Sequence, residues 1–332
     1  MDDFLKNCER APRQFRLYLT GSLWYSQKVE RRKAFAHSGP DPLEAKRPKR
    51  VFAAGKRNVT PVFDKNSPIG VLDSGIGGFS VARQVQKLLP GEDLLYFGDG
   101  AHIPYGNHSE GTIIAMARYM FEFMESRGVK ALLVACNTIS CVIDRCQNAV
   151  SCPTFNAVQA GADAVAGLDV EKVGVISTVF THNSRCYPRR ILARSPKKMV
   201  VLSCGCPDLA RLVEHNLGNP GGMAEVEDNL RQELDHMVLE DQIQSLVLGC
   251  THYPLVEDSI KKLYPGLPLI DPAEEMARAL ALDLERRGLR REGEQGKLEI
   301  RTTGSVEEYA LRARQVGLER VTSVEFYPPM EL

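Results

Sequence analysis

Tryptophan occurs once in these 332 residues, at Trp24, and several larger signals are missing altogether. No uninterrupted apolar run approaches the roughly 20 residues that a membrane-spanning helix needs, so a bilayer location is not expected. The opening MDDFLKNCER lacks the basic-then-apolar pattern of a secretory leader. P-loop, HExxH and GxSxG patterns are absent, which removes the nucleotide, zinc-protease and serine-hydrolase chemistries they carry. No lysine sits in a context suggestive of a pyridoxal Schiff base, and there are no heptads, low-complexity tracts or short tandem repeats.

Cysteine, by contrast, is plentiful: positions 8, 136, 141, 146, 152, 186, 204, 206 and 250 make nine. An odd count in a chain of this size speaks against a secreted disulfide framework and for a reducing cytoplasm, with thiols available for chemistry. The hydrophobic content of 43% and charged content of 25% are those of an ordinary globular chain. At about 150 residues per domain, the length suggests two domains. The formal charge is zero but unevenly spread: residues 1–66 carry 15 Lys+Arg against 7 Asp+Glu, a net of +8 that leaves −8 for the rest. This basic extension reads either as an arm for an anionic partner or as a solvated, partly disordered segment. Within it, FRLYLTGSLWYSQKVERRKAF reads as holding a short helix and SGPDPLEAKRPKR as a linker.

From Pro68 the texture changes. PIGVLDSGIGGFSVARQVQKLLPGEDLLYFGD reads as strand, glycine-dense turn, helix and strand, a βαβ crossover that implies a parallel sheet. Strand and helix patterns then alternate to about residue 290, with further strands expected at 131–135, 152–158, 170–178, 199–204, 245–249 and 268–271. One helix is expected from Cys136 toward Val150, another through Tyr187 and Ile191, another over Gly222–Asp241. LEIRTTG and VTSVEFYP read as edge strands. The expected fold is α/β, with two doubly wound parallel-sheet domains related by pseudo-symmetry and the active site between them. Residues 67–158 plus 268–332 would form the domain holding Cys136, and 159–267 the domain holding Cys250.

Four motifs fall at strand ends or in the turns beyond them, where open α/β sheets bind ligands. ALLVACNTIS (131–140) and SLVLGCTHYP (245–254) each run apolar and then present a thiol followed by small polar residues. Asn137 and Thr138 after Cys136, and Thr251 and His252 after Cys250, suit a carboxylate, and His252 exchanges protons near neutrality. A helix N-terminus or nearby cation would activate either thiol, while inert packing is the alternative for each. LDSGIGGFS (72–80) departs from the dinucleotide fingerprint; Asp73 and Ser74 are either helix caps or ligands for a small zwitterion. GDGAHIPYG (98–106) is either an ordinary loop or one that lays Tyr105 and Gly106 over a pocket. Cys204, Cys206, Cys250 and His252 do not make a metal site by spacing, because C-G-C is tighter than C-x₂₋₄-C and no second pair matches it. Cys141 and Cys146 read as packing.

DSGIGG, PYG, CNT and GCTHYP, in this order and joined by STVFT at 177–181, resemble the glutamate racemase family of the cofactor-independent aspartate/glutamate racemase superfamily. The resemblance spans about Pro68 to Leu332. It implies two-base racemisation of L- and D-glutamate without metal or other cofactor, supplying D-glutamate for peptidoglycan. It further implies that Cys136 serves D-glutamate and Cys250 serves L-glutamate, that Asp73 and His252 tune the thiols, and that Glu214 assists. Ser74, Tyr105, Gly106, Asn137, Thr138, Thr181, Thr251 and His252 would hold the substrate with Asp73, and Tyr105, Gly106 and Thr181 would lie near its side-chain carboxylate. The expected partners are glutamate, a UDP-linked muramyl precursor as activator, and a second copy of the chain as a homodimer; nucleic acid and membrane are not expected. The rival readings are racemisation of aspartate or another amino acid, one-thiol decarboxylation, a Cys250–His252 thiol hydrolase, and a non-catalytic binding protein.

Overall fold

The computed structural model describes residues 15–19 and 63–332 apart from 196 and 294, with backbone alone for 15–19 and 220. The linker SGPDPLEAKRPKR and most of the basic extension lie outside the described residues. At the start of FRLYLTGSLWYSQKVERRKAF the expected helix is replaced by strand β1 (Phe15–Leu19), antiparallel to β7 (Val200–Gly205). An open sheet edge offers a row of unpaired N–H and C=O groups, and an extended segment satisfies them better than a short isolated helix would.

The six-stranded sheet holds β2 (Ile69–Asp73), β3 (Leu94–Gly98), β4 (Ala131–Val134), β5 (Thr154–Asn156), β10 (Leu298–Thr302) and β11 (Val321–Phe326), in the order β11-β10-β3-β2-β4-β5. The five-stranded sheet, β1-β7-β6-β8-β9, adds β6 (Lys172–Ser177), β8 (Ser245–Gly249) and β9 (Leu269–Ile270). Every pairing except β1 with β7 is parallel. β10 is paired on both sides, so it is not the edge strand expected from its sequence; β11 takes the edge.

The period of two along a strand divides each sheet between two cores. Val71, Tyr96 and Leu133 face the core of helices α1 (Phe79–Leu88) and α10 (Pro272–Arg287), while Leu72, Phe97 and Val134 face that of α2 (Glu110–Ser126). In the other sheet, Val175, Val201 and Val247 face α4 (Ala157–Ala166) and α6 (Cys186–Arg194). Ile176, Leu202 and Leu248 face α7 (Leu209–Asn216), α8 (Met223–Asp235) and α9 (Glu257–Leu263). Both sheets are thus doubly wound. Their central orders match strand for strand, β3-β2-β4-β5 against β7-β6-β8-β9. The likeness of ALLVACNTIS to SLVLGCTHYP is therefore part of a topological repeat, in which β4 and β8 are equivalent third strands. Helix α4 wedges between the halves, turning Ala157 and Ala160 to one core and Val158, Ala162 and Val165 to another.

Three expected helices are interrupted. After Cys136 the chain forms only α3 (Asn137–Ser140), then 3₁₀ turns at Ile143–Arg145 and Gln147–Ala149. Ser140 donates its hydroxyl back to the Cys136 and Val134 carbonyls, the kind of side-chain bond that competes with helix propagation. Cys141, expected to be packing, is disulfide-bonded to Cys186, 45 residues away. The helix through Tyr187 is split into α5 (Val179–Ser184) and α6 by Arg185, in the left-handed region at φ 57°. Helix α8 ends at Asp235 and gives way to a π turn over His236–Glu240.

At the start of β4, Lys130 Nζ lies 2.6 Å from Glu92 Oε2 with both side chains wholly buried, and donates to the carbonyls of Lys65 and Leu289. Removing one member of such a pair strands the other charge in the core. Lys130→Met is expected to cost about 3–5 kcal/mol in urea denaturation. Adding Glu92→Leu should restore much of that loss, and a Lys130→Met protein as stable as the parent would refute the assignment.

Candidate active site

Each third strand ends in a thiol. Cys136 is the N-cap residue of α3 directly beyond β4, and Cys250 follows β8 before the 3₁₀ turn Tyr253–Val256. Both are 5% exposed. The first helices of each repeat pack on the opposite face from the next, so the strand pairs β2/β4 and β6/β8 are the switch points where α/β sheets open a crevice at their carboxyl ends. Asp73 and Ser74 flank Cys136 there, and Ser177 and Thr178 flank Cys250.

Asp73 joins the two halves. Fully buried, it accepts from Gly75 N at 2.9 Å and from Thr251 Oγ1 at 3.2 Å, across a sequence separation of 178. A Cβ on Gly77 would stand 2.2 Å from Thr251 Oγ1, so only glycine lets the DSGIGG turn meet the GCTHYP turn this closely. Burial pushes the Asp73 carboxyl up, against the lowering influence of the His252 charge and of its own hydrogen bonds. Burial and the neighbouring Asp73 push the Cys136 thiol up to about 12, although Ser74 Oγ accepts from its Sγ at 3.5 Å. Cys136 at rest is therefore a protonated thiol.

Around Cys250 the arrangement differs. The turn after β8 brings His252 Nδ1 to 3.7 Å from Cys250 Sγ. His252 Nε2 lies 3.3 Å from Glu214 Oε2 on α7, at ion-pair distance without an aligned hydrogen bond. Burial pulls the His252 pKa down, but the Cys250 thiol and the Glu214 carboxylate outweigh it and raise it well above 6.5. Burial likewise opposes ionisation of Glu214, and the His252 and Arg312 charges more than compensate, lowering its pKa.

The remaining candidates form a polar rim. Thr138 Oγ1 is 3.3 Å from Thr178 Oγ1, which donates to Thr181 Oγ1 at 3.0 Å. Asn137 Oδ1 accepts from Tyr187 Oη at 2.7 Å, tying α3 to α6. Gly106 packs toward the Thr178 side chain. The Tyr105 hydroxyl does not point to the thiols: it donates to Asp99 Oδ2 at 2.5 Å, and Asp99 also takes bonds from His102 Nδ1 at 2.8 Å and Thr303 Oγ1 at 2.6 Å. Asp99, Thr178, Tyr187 and Thr303 are not candidates from the sequence, although Asp99 stands in GDGAHIPYG and Thr178 in STVFT. The cavity bordered by Asn137, Cys250, Thr251 and Asp271 measures about 10 Å³, water-sized. An amino acid reaches these buried thiols only if the surrounding loops separate.

Two parallel sheets of matching order, each with a thiol beyond its third strand, define the class, the α/β proteins with a duplicated half. The chain belongs to the Asp/Glu/Hydantoin racemase family, whose sequence pattern matches residues 69–280. It is 37% identical over 265 residues to a glutamate racemase of Thermus thermophilus, covering 79% of this chain and 96% of that protein. A glutamate racemase isoform from Bacillus anthracis superposes with a TM-score of 0.72 at 36% identity, covering 81% of this chain and 98% of that one. The glutamate racemase of Francisella tularensis, solved with D-glutamate, gives a TM-score of 0.72 at 32% identity, covering 79% and 98%.

The raised His252 pKa implies a stability contribution that is complete below 6.5 and is lost as pH rises through the folded-state value. Glu214→Gln should lower the His252 pKa by at least about one unit, roughly 1.4 kcal/mol, in an NMR titration of its imidazole. An unchanged titration would remove Glu214 from the pair.

Proposed function

We propose that this chain interconverts L- and D-glutamate by two-base proton transfer at Cα, supplying D-glutamate for peptidoglycan in the cytoplasm. The observation that carries the reading is the pair of buried thiols at equivalent strand ends, with Asp73 linked to the loops of both. One thiolate takes the Cα proton and the other thiol delivers one to the opposite face; no redox change and no bound intermediate is required. Cys250 serves as base toward L-glutamate and Cys136 toward D-glutamate. His252, 3.7 Å from Cys250 and held by Glu214, exchanges a proton with that thiol. Asp73 does the same service on the Cys136 side and, with Ser74, receives the substrate ammonium.

Asn137, Thr138, Thr251 and His252 bind the α-carboxylate through hydroxyl, amide and helix N-terminal groups. Thr181, Tyr105 and Gly106 hold the side-chain carboxylate; because the phenol is committed to Asp99, the PYG loop contributes through its backbone. Each sheet with its helices acts as one domain, and their separation admits substrate; because β9 (Leu269–Ile270) pairs with β8, the second domain runs on past the expected boundary at 267 to take in that strand. Closing them again excludes water and aligns a weak carbon acid between fixed donors. We further propose that the basic extension answers to a UDP-linked muramyl activator and that the chain pairs as a homodimer.

In D₂O with L-glutamate, optical rotation should fall and Cα deuterium should appear. Cys136→Ala and Cys250→Ala should each reduce racemisation by at least about 10²-fold with unchanged circular dichroism. A parent enzyme that neither exchanges nor racemises would sink the reading, and an acyl-thiol adduct at Cys250 in the mass spectrum would favour the hydrolase instead. Neutralising Lys46, Arg47, Lys49 and Arg50 together should abolish any rate increase caused by the muramyl precursor. A response that survives the change would dismiss the arm as its receptor.

A further inference from the structure

The racemisation chemistry leaves a second group of thiols unused. Strand β7 runs into Ser203-Cys204-Gly205-Cys206, and residues two apart on extended chain share a face. The C-G-C spacing that looked too tight for a metal therefore sets two sulfurs side by side. Helix α8 packs over that face and sends Glu233 to them. Cys204 Sγ lies 3.2 Å from Glu233 Oε2, and the two sulfurs and a Glu233 oxygen all lie within 4.8 Å of one another. The three residues are 0%, 2% and 5% exposed.

An independent observation points into the same space. Tyr253, 0% exposed, places its hydroxyl beside the Cys206 thiol, yet that oxygen has no hydrogen-bond partner of ordinary geometry among the described residues. A buried phenol without a partner costs free energy on the order of 1–3 kcal/mol, which a ligand at this point would relieve.

We propose that Cys204, Cys206 and Glu233 form a site for one thiophilic divalent cation of the zinc class, with the Tyr253 hydroxyl facing the fourth position. Two thiolates and a carboxylate suit tetrahedral zinc at about 2.0–2.3 Å, which sets donor atoms roughly 3.5 Å apart, within a small closure of the observed cluster. Calcium and magnesium prefer all-oxygen shells and are disfavoured. The site is structural. It joins the end of β7, helix α8 and Tyr253, the residue that directly follows His252, and so braces the turn carrying Cys250 without touching substrate.

The test uses the full chain carrying Cys136→Ala and Cys250→Ala, so that metal held by the substrate-facing thiols is not counted. After treatment with chelator it is titrated with cobalt(II) and with zinc. One equivalent should bind, with an intense sulfur-to-cobalt charge-transfer band and a raised melting temperature. Glu233→Gln should weaken binding by at least about 10-fold, and Cys204→Ala with Cys206→Ala should abolish the band. X-ray absorption of the zinc-loaded chain without those last changes should show two sulfurs near about 2.3 Å, which keeps the test independent of how well the variants fold. Absence of the band, its survival without Cys204 and Cys206, or a shell with no sulfur would each overturn the proposal.

Discussion

The site is centred on a buried hydrogen bond between its halves, from the Thr251 hydroxyl to the Asp73 carboxylate. Each partner ends a parallel strand or begins the turn after it, so the bond holds the carboxyl ends of two separate sheets face to face. Everything polar in the crevice is placed relative to it. Cys136 feels the Asp73 charge, Cys250 precedes Thr251, and the DSGIGG turn is packed against the GCTHYP turn by the absence of a side chain at Gly77. Because a buried carboxylate is costly to leave unpaired, this acid also favours the closed arrangement that supplies its donor.

The repeat is equal in topology and unequal in charge. On one side a carboxyl and a serine surround a thiol that burial keeps protonated; on the other an imidazole, itself held by a carboxylate, stands against the thiol. Two matching strand ends have thus been furnished with opposite acid–base environments.

Much of this was legible in the sequence for identifiable reasons. Strands buried on both faces read as continuous apolar runs, so β4, β6 and β8 were visible, and a thiol beyond such a run falls at a sheet's carboxyl end by geometry alone. Asp73, Ser74, Asn137, Thr138, Thr251 and His252 followed from adjacency to those ends. What local pattern could not carry were contacts made at a distance. Asp99 matters through Tyr105 and through Thr303, 204 positions away. Cys141 finds Cys186 only once α3 and α6 are packed together. Arg185 breaks a helix in a conformation that nothing in its neighbours' propensities requires, and β1 is a strand because an unpaired edge of β7 receives it.

Gly77 has a consequence of its own. The gap it leaves against Thr251 is narrower than a methyl group, so this one point acts as a gauge of how far the halves come together. Any side chain there becomes a shim, pressing on Thr251 and His252 and holding the DSGIGG turn away from the GCTHYP turn. A residue with no functional group of its own thereby sets how closely Thr251 approaches Asp73.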